Sequence, residues 1–209
     1  MGSYGCFDCS LNMILSNEGI KRALLAGELE ITPTPAEDQY TTSAVDLFLG
    51  TQFQGWNETI LDVQGAKVEL NLARQDYQKT ARAYLRNLDL ERDGSFVCPP
   101  FRVVPSHVLA NTRERVHLKP GSRLAARVEG RSSMARLGLV VHLTAPTIHA
   151  GFQGPITLEM INHGPFYLRM IPERTRICQL IIECLQTDPQ GTINTQFQGQ
   201  VAPSGIKPT

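Results

Sequence analysis

The stretch Ala125–Glu159, AARVEGRSSMARLGLVVHLTAPTIHAGFQGPITLE, decides how this chain is read. A strand-like alternation runs into Gly130, presents Ser132 and Ser133 between Arg131 and Arg136, and turns again at Gly138. Those residue types suit an oxyanion such as a phosphate. Arginine offers a planar fork of donors, and serine hydroxyls with turn N–H groups fill the remaining oxygens. Further on, Ile156–Asn162 reads as a strand carrying one carboxylate, Glu159, among apolar neighbours. A cationic cradle followed by a lone acid on a buried strand is what a nucleotide-processing site needs.

Outward from that centre the texture is short strands and turns. Phe96–Val104, Ser106–Thr112, Arg123–Glu129, Leu137–Thr144, Ile156–Asn162, Phe166–Met170 and Arg176–Leu185 are separated by turns containing Pro, Gly and Asn. Regular strand spacing with no helices between predicts a mainly β chain, a sandwich or barrel of jelly-roll type with a few short helices. Upstream, Ser43–Gly50 alternates and ends in glycine, a strand and turn in which Asp46 serves as a capping or turn carboxylate or as a functional one. Ser16 caps a predicted helix over Asn17–Ala26, with Ile20, Leu24 and Leu25 on one face and Gly27 as the stop. Val68–Leu90 places Leu72, Ala73, Tyr77, Ala81, Tyr84, Leu85 and Leu88 at spacings of three and four, which predicts an amphipathic helix without chemistry of its own. The tail Gln186–Thr209 is polar and is either disordered or a lid that orders over a ligand.

The 209 residues, 42% hydrophobic with a formal net charge of +0, suit one compact domain and give no bulk electrostatic case for nucleic acid or membrane. No apolar run approaches the ~20 residues of a membrane span, and no signal-peptide core is visible. Cys178 and Cys184 sit in an apolar strand and are expected to be reduced core residues, which points to a cytoplasmic protein. Cys6-Phe7-Asp8-Cys9 has the spacing of half a zinc site, but a closed structural site needs four ligands and no second pair lies nearby. Residues 1–12 are therefore read as a flexible extension before Met13.

These segments resemble a known family. Ser43–Gly50, Glu129–Gly138, Val141-His142-Leu143-Thr144-Ala145, Gly151–Glu159 and Ile177-Cys178-Gln179-Leu180 are similar, in order, to the deoxycytidine triphosphate deaminases of the trimeric dUTPase superfamily. The similarity covers residues 13–185 apart from the 62–93 region, which is read as a helical insert. It implies a distorted jelly-roll or β-barrel of the dUTPase type and hydrolytic deamination of dCTP to dUTP and ammonia. It also implies a homotrimer whose sites are shared between subunits.

Residue by residue, the resemblance implies that Arg131, Ser132 and Ser133 hold the triphosphate, with Mg2+ bound mainly through the phosphates and no metal held by the protein itself. Arg136 lies beside the base and positions the attacking water with Ser132. The Ala145 backbone meets the sugar or base. Glu159 is the general base and acid, its pKa raised by its apolar neighbours Ile156, Leu158 and Met160 and lowered by Arg136. Gln179 counts among the substrate-binding residues, and Gln200 closes over the phosphates with Phe197 from the tail. The alternative deaminase chemistry uses zinc with H-x-E and P-C-x-x-C patterns, and no H-x-E occurs in this sequence.

Two departures from the family bear on activity. His149 stands where these enzymes usually carry Asp, an acid that in dUTPases helps activate water against the phosphate and reads the sugar hydroxyl. A neutral imidazole differs in pKa and reach, so phosphate hydrolysis is expected to be weak and sugar recognition altered. Gln196 stands where deaminases often place Lys, which is expected to loosen triphosphate binding. The rival readings are a bifunctional enzyme continuing to dUMP and a nucleotide-binding regulator with weak turnover.

Overall fold

The central alternation becomes sheet. In a computed structural model, which describes residues 14–57, 68–73, 77–191 and 197–206, the elements run α1 (Asn17–Leu25), β1 (Leu29–Thr32), β2 (Val45–Trp56), α2 (Tyr77–Tyr84), β3 (Leu85–Asn87), β4 (Phe96–Cys98) and β5 (Val108–Leu118). They continue as β6 (Leu124–Gly130), α3 (Ser132–Ala135), β7 (Leu139–Val140), β8 (Thr147–Ile148), β9 (Gln153–Asn162), β10 (Leu168–Met170) and β11 (Arg176–Cys184). The extension at 1–12 with Cys6 and Cys9, the start at Met13, and Gln196 lie outside the described residues.

One sheet runs in the order β7-β9-β5-β2-β11-β6-β8, with β1 joined to β5 and β3 to β2, while β10 pairs with β4 in a separate ribbon. The neighbours are antiparallel. The sheet curls because β2 changes partner along its length. Val45–Phe48 pairs with β11, Phe53–Gly55 pairs with β5, and the register shifts between Leu49 and Phe53. Such irregularities bend a strand and increase its twist. The result is the expected mainly β architecture, a curled half-barrel with few helices.

Alternation decides which face is core. On β6, Leu124, Ala126 and Val128 point in, and on β11 so do Leu180, Ile182 and Cys184. With Leu47, Leu118, Leu158, Met160 and Ile177 they form one apolar cluster in which these nine largest side chains have 0–2% exposure. Each large aliphatic side chain buried this way contributes about 1.5–3 kcal/mol.

Four local expectations are corrected. β2 does not turn at Gly50. The strand continues through the register shift there, and a Cβ at Gly50 would lie 2.4 Å from Asn111 Oδ1, so the glycine serves a close backbone approach rather than a chain-ending turn. The helix expected over Val68–Leu90 spans only Tyr77–Tyr84, and 68–73 is not helical. Leu85–Asn87 instead pairs with Gln54–Trp56 at the edge of β2, where unpaired backbone groups outcompete another helical turn. In α1, Ser16 Oγ accepts the Gly19 N–H at 3.3 Å as expected, but Leu25 is 85% exposed, and Ile20 with Ala23 form the inward face. Cys178 is free and buried, whereas Cys184 is disulfide-bonded. No helix among the described residues is long and apolar enough to cross a membrane.

Candidate functional site

Period two on β9 sends Leu158 and Met160 into the core and Thr157 and Glu159 to the opposite face. There Glu159 stands across from Leu109 on β5 and opens into a cavity of about 410 Å³, within the usual size of ligand pockets, about 300–1,000 Å³. Burial pushes the Glu159 carboxyl above its ordinary range. The Leu143 backbone N–H and the nearby His142 pull the other way without cancelling it. The direction and its main cause, burial, are the expected ones. Of the three expected apolar neighbours only Ile156 lines the cavity, joined by Leu109, and the opposing influence comes from His142 rather than Arg136.

Ala145, His149, Phe197 and Gln200 line the same cavity as Glu159. The tail reaches it by docking on its own chain. Gln200 Nε2 donates to Pro155 O and to Thr157 Oγ1, both at 2.9 Å, and Gln198 Nε2 donates to Gly151 O at 2.8 Å. Gly199 N–H donates to Gln153 O at 3.0 Å, and Thr157 Oγ1 donates to Pro203 O at 2.9 Å. The buried Gln200 amide is thus spent on fastening the tail to β9, while Phe197 and Pro203 are the other tail residues that line the cavity. Residues 197–206 are ordered against β9 and the turn before it.

The other expected residues assemble elsewhere. Ser132, Ser133 and Arg136 lie exposed on the short helix α3 and its end, and neither they nor Arg131 and Gln179 line the Glu159 cavity. The turn that carries them is fixed by Gly138, whose φ is +97° and whose added Cβ would meet Gly164 N at 2.2 Å. Only glycine takes that conformation at that contact without strain. Arg131 is held from beneath. Its Nη1 donates to Asp46 Oδ2, Gln179 Nε2 donates to Asp46 Oδ1 at 3.0 Å, and Arg176 Nη1 stands 3.7 Å from Asp46 Oδ2. Asp46 is 3% exposed on β2, directly across from Gln179 on β11. It is neither a cap nor a turn residue. It is the buried carboxylate that aims Arg131.

Among the described residues, no three His, Cys, Asp or Glu side chains gather as a metal cage. Several cavity residues escaped the sequence reading, His107, His142, Trp56 and Tyr77 among them. His142 lay inside a matching segment with nothing to mark it. Trp56 ends β2 beyond the expected turn. Tyr77 was read as one apolar position on a helical face, and no spacing in the sequence shows that α2 faces the cavity.

Comparison with known proteins follows the same lines. The family model described as dCTP deaminase-like matches residues 14–185. A "dCTP deaminase, dUMP-forming" from Methanosphaera stadtmanae is 34% identical over 200 residues, covering 93% of this chain and 93% of its own. A dCTP deaminase from Rhodospirillum rubrum is 34% identical over 197 residues, covering 91% of this chain and 94% of its own. The crystal structure of 2'-deoxycytidine 5'-triphosphate deaminase from Agrobacterium tumefaciens aligns with a TM-score of 0.58 at 20% identity, over 83% of this chain and 48% of that one, a likeness of fold.

Proposed function

The chain belongs to the dCTP deaminase-like family, and from that premise we propose that it hydrolyses dCTP to dUTP and ammonia, with Glu159 moving the protons. The observation that carries this reading is the position of Glu159. It is a carboxylate on the wall of a nucleoside-sized cavity that the docked tail helps to line, with its pKa pushed up by burial. Water gives a proton to the carboxylate as its oxygen bonds to C4 of the base. The acid passes that proton to N3, then takes the proton of the new C4 hydroxyl and passes it to the amino group, and the C4–N bond breaks as the C4 carbonyl forms, releasing ammonia. One carboxyl serves both steps only if its pKa lies near working pH, which is the direction burial moves it.

The triphosphate half of the reading rests on Arg131, Ser132 and Ser133, with Arg136 and Ser132 beside the attacking water and Gln179 among the binding residues. Within one chain these residues do not line the Glu159 cavity. We read that separation as the mark of a homotrimer in which the turn of one subunit completes the cavity of the next. Exposed apolar side chains around the turn support it. Leu137 is 47% exposed, Phe166 59% and Tyr167 62%, large apolar side chains that a subunit contact would cover. The Ala145 backbone and His149 would face the sugar and base. Mg2+ would come with the triphosphate, its octahedral shell filled by phosphate oxygens and water, which fits a donor set of arginines and serines.

A second reading, onward hydrolysis to dUMP, is favoured by one observation: the relative from Methanosphaera stadtmanae is named dUMP-forming at the same 34% identity. His149 in place of an acid argues against it. Incubation with each pyrimidine nucleoside triphosphate plus magnesium, with products resolved, tests both. Ammonia and dUTP from dCTP support the first reading, pyrophosphate and dUMP the second, and neither product sinks the assignment.

A further inference from the structure

The helix α2 carries a part of the cavity wall to which the sequence assigned no chemistry. Tyr77, its first residue, lines the cavity with Trp56, Phe197 and Glu159. Its ring meets that of Phe197 edge-on, with centroids 5.6 Å apart and planes at 66°, an arrangement that fixes both rings. The neighbouring Gln78 donates Nε2 to Gly205 O at 3.1 Å, so helix and tail are fastened to each other as well as to the sheet. Holding the helix in place is a task already met by Ala81, which is 0% exposed, and Tyr77 is not among the side chains packed against the hydrophobic core.

We propose that Tyr77 is a specificity-determining residue: its ring, braced by Phe197, is the aromatic wall on which the planar base of the nucleotide packs beside Glu159. The inference rests on the proposed deaminase reading and adds to it the contact that selects a flat heteroaromatic ring. Trp56, at the end of β2, and Tyr77, at the start of α2, bring aromatic side chains to the cavity from two different elements. Burial and the charge of Glu159 both push the Tyr77 phenol up. Its hydroxyl therefore stays protonated through neutral pH and adds no second negative charge beside the carboxylate.

The experiment uses the single tryptophan of the chain, Trp56, which lines the cavity and so reports its occupancy. Wild type, Tyr77→Ala, Tyr77→Phe and Tyr84→Ala are titrated with dCTP and magnesium, following tryptophan emission and ammonia release. Tyr84 shares the helix but does not line the cavity, so it controls for helix placement. The expected result is a rise of about tenfold in Kd and KM for Tyr77→Ala, the size of one lost base–aromatic contact. Its kcat should stay within about threefold, with Tyr77→Phe and Tyr84→Ala close to wild type. The inference is overturned if Tyr77→Ala matches wild type, if Tyr77→Phe loses as much as Tyr77→Ala, or if Tyr84→Ala does. A wild type giving neither an emission change nor ammonia with any pyrimidine triphosphate takes down the deaminase reading as well; an active wild type with an unchanged Tyr77→Ala takes down this inference alone.

Discussion

Glu159 and Arg131 sit in one curled sheet and are treated in opposite ways. Around Glu159 the chain closes on itself. Residues of β5, β9, α2 and the tail are among those that line its cavity, and the carboxyl is left partly desolvated with a backbone N–H and a histidine nearby. Around Arg131 the chain stays open. Ser132, Ser133 and Arg136 face outward, while Arg131 donates to the buried Asp46, a carboxylate that Gln179 and Arg176 also contact. A group that must change its protonation state is kept short of partners, because strong pairing would pin it in one form. A group that must hold a fixed charge in a fixed direction is given a buried counter-charge. The two regions thus divide the proposed chemistry into a reactive half finished within the chain and a gripping half awaiting a neighbour.

The sharpest way to break this contrast is Glu159→Gln. It should lower ammonia release from dCTP by about 10²–10⁴-fold while Trp56 emission still reports nucleotide binding. Retained turnover would remove Glu159 from the reaction.

Mixing Glu159→Gln with Arg136→Ala subunits tests whether the halves belong to different chains. Each variant alone should be nearly inactive. In a random mixed trimer about one quarter of the shared sites regain both residues, and ammonia release should return to a corresponding fraction of wild type. No recovery after co-refolding would mean that each chain works alone.

Asp46→Asn probes the gripping half. Removing the counter-charge leaves Arg131 and Arg176 without their buried partner, and urea unfolding should report a loss of about 3 kcal/mol, the low end for breaking a buried pair because both guanidiniums remain about 30% exposed. An unchanged midpoint would show that Asp46 does not anchor this region.

The smallest effect expected is in stability against pH. Because burial raises the Glu159 pKa in the folded state, its stabilising contribution is present below the ordinary carboxylate range and is lost as pH rises through the raised value. Glu159→Gln should therefore melt slightly higher than wild type at neutral pH, by at most a few degrees, and the gap should close on acidification. A gap that widens as pH falls would contradict the raised pKa.

The alternation at Leu124–Gly130 and Ile156–Asn162 was legible as strand, and so was the face of β9 that carries Glu159, because a period of two leaves no choice once Leu158 and Met160 are buried. The glycine turn at Gly138 was legible for the same local reason. What failed depended on partners distant in the chain. Leu85 and Leu88 keep a helical spacing, yet the open edge of β2 drew Leu85–Asn87 into the sheet. Gly50 looks like a stop and is instead the point where Asn111 crosses close to β2. Burial as the source of the Glu159 shift was legible, but Leu158 and Met160 were misjudged as its walls because adjacent residues along a strand point to the opposite face.

By itself the sequence determined the β class, the arginine–serine turn and the lone acid, since each follows from residue types and short-range periodicity. Only the tertiary structure decided that Asp46 aims Arg131, that the tail lines the Glu159 cavity in its own chain, and that Tyr77 stands in its wall. Those arrangements join residues tens of positions apart, through hydrogen bonds and ring contacts that only the curl of the sheet brings within reach.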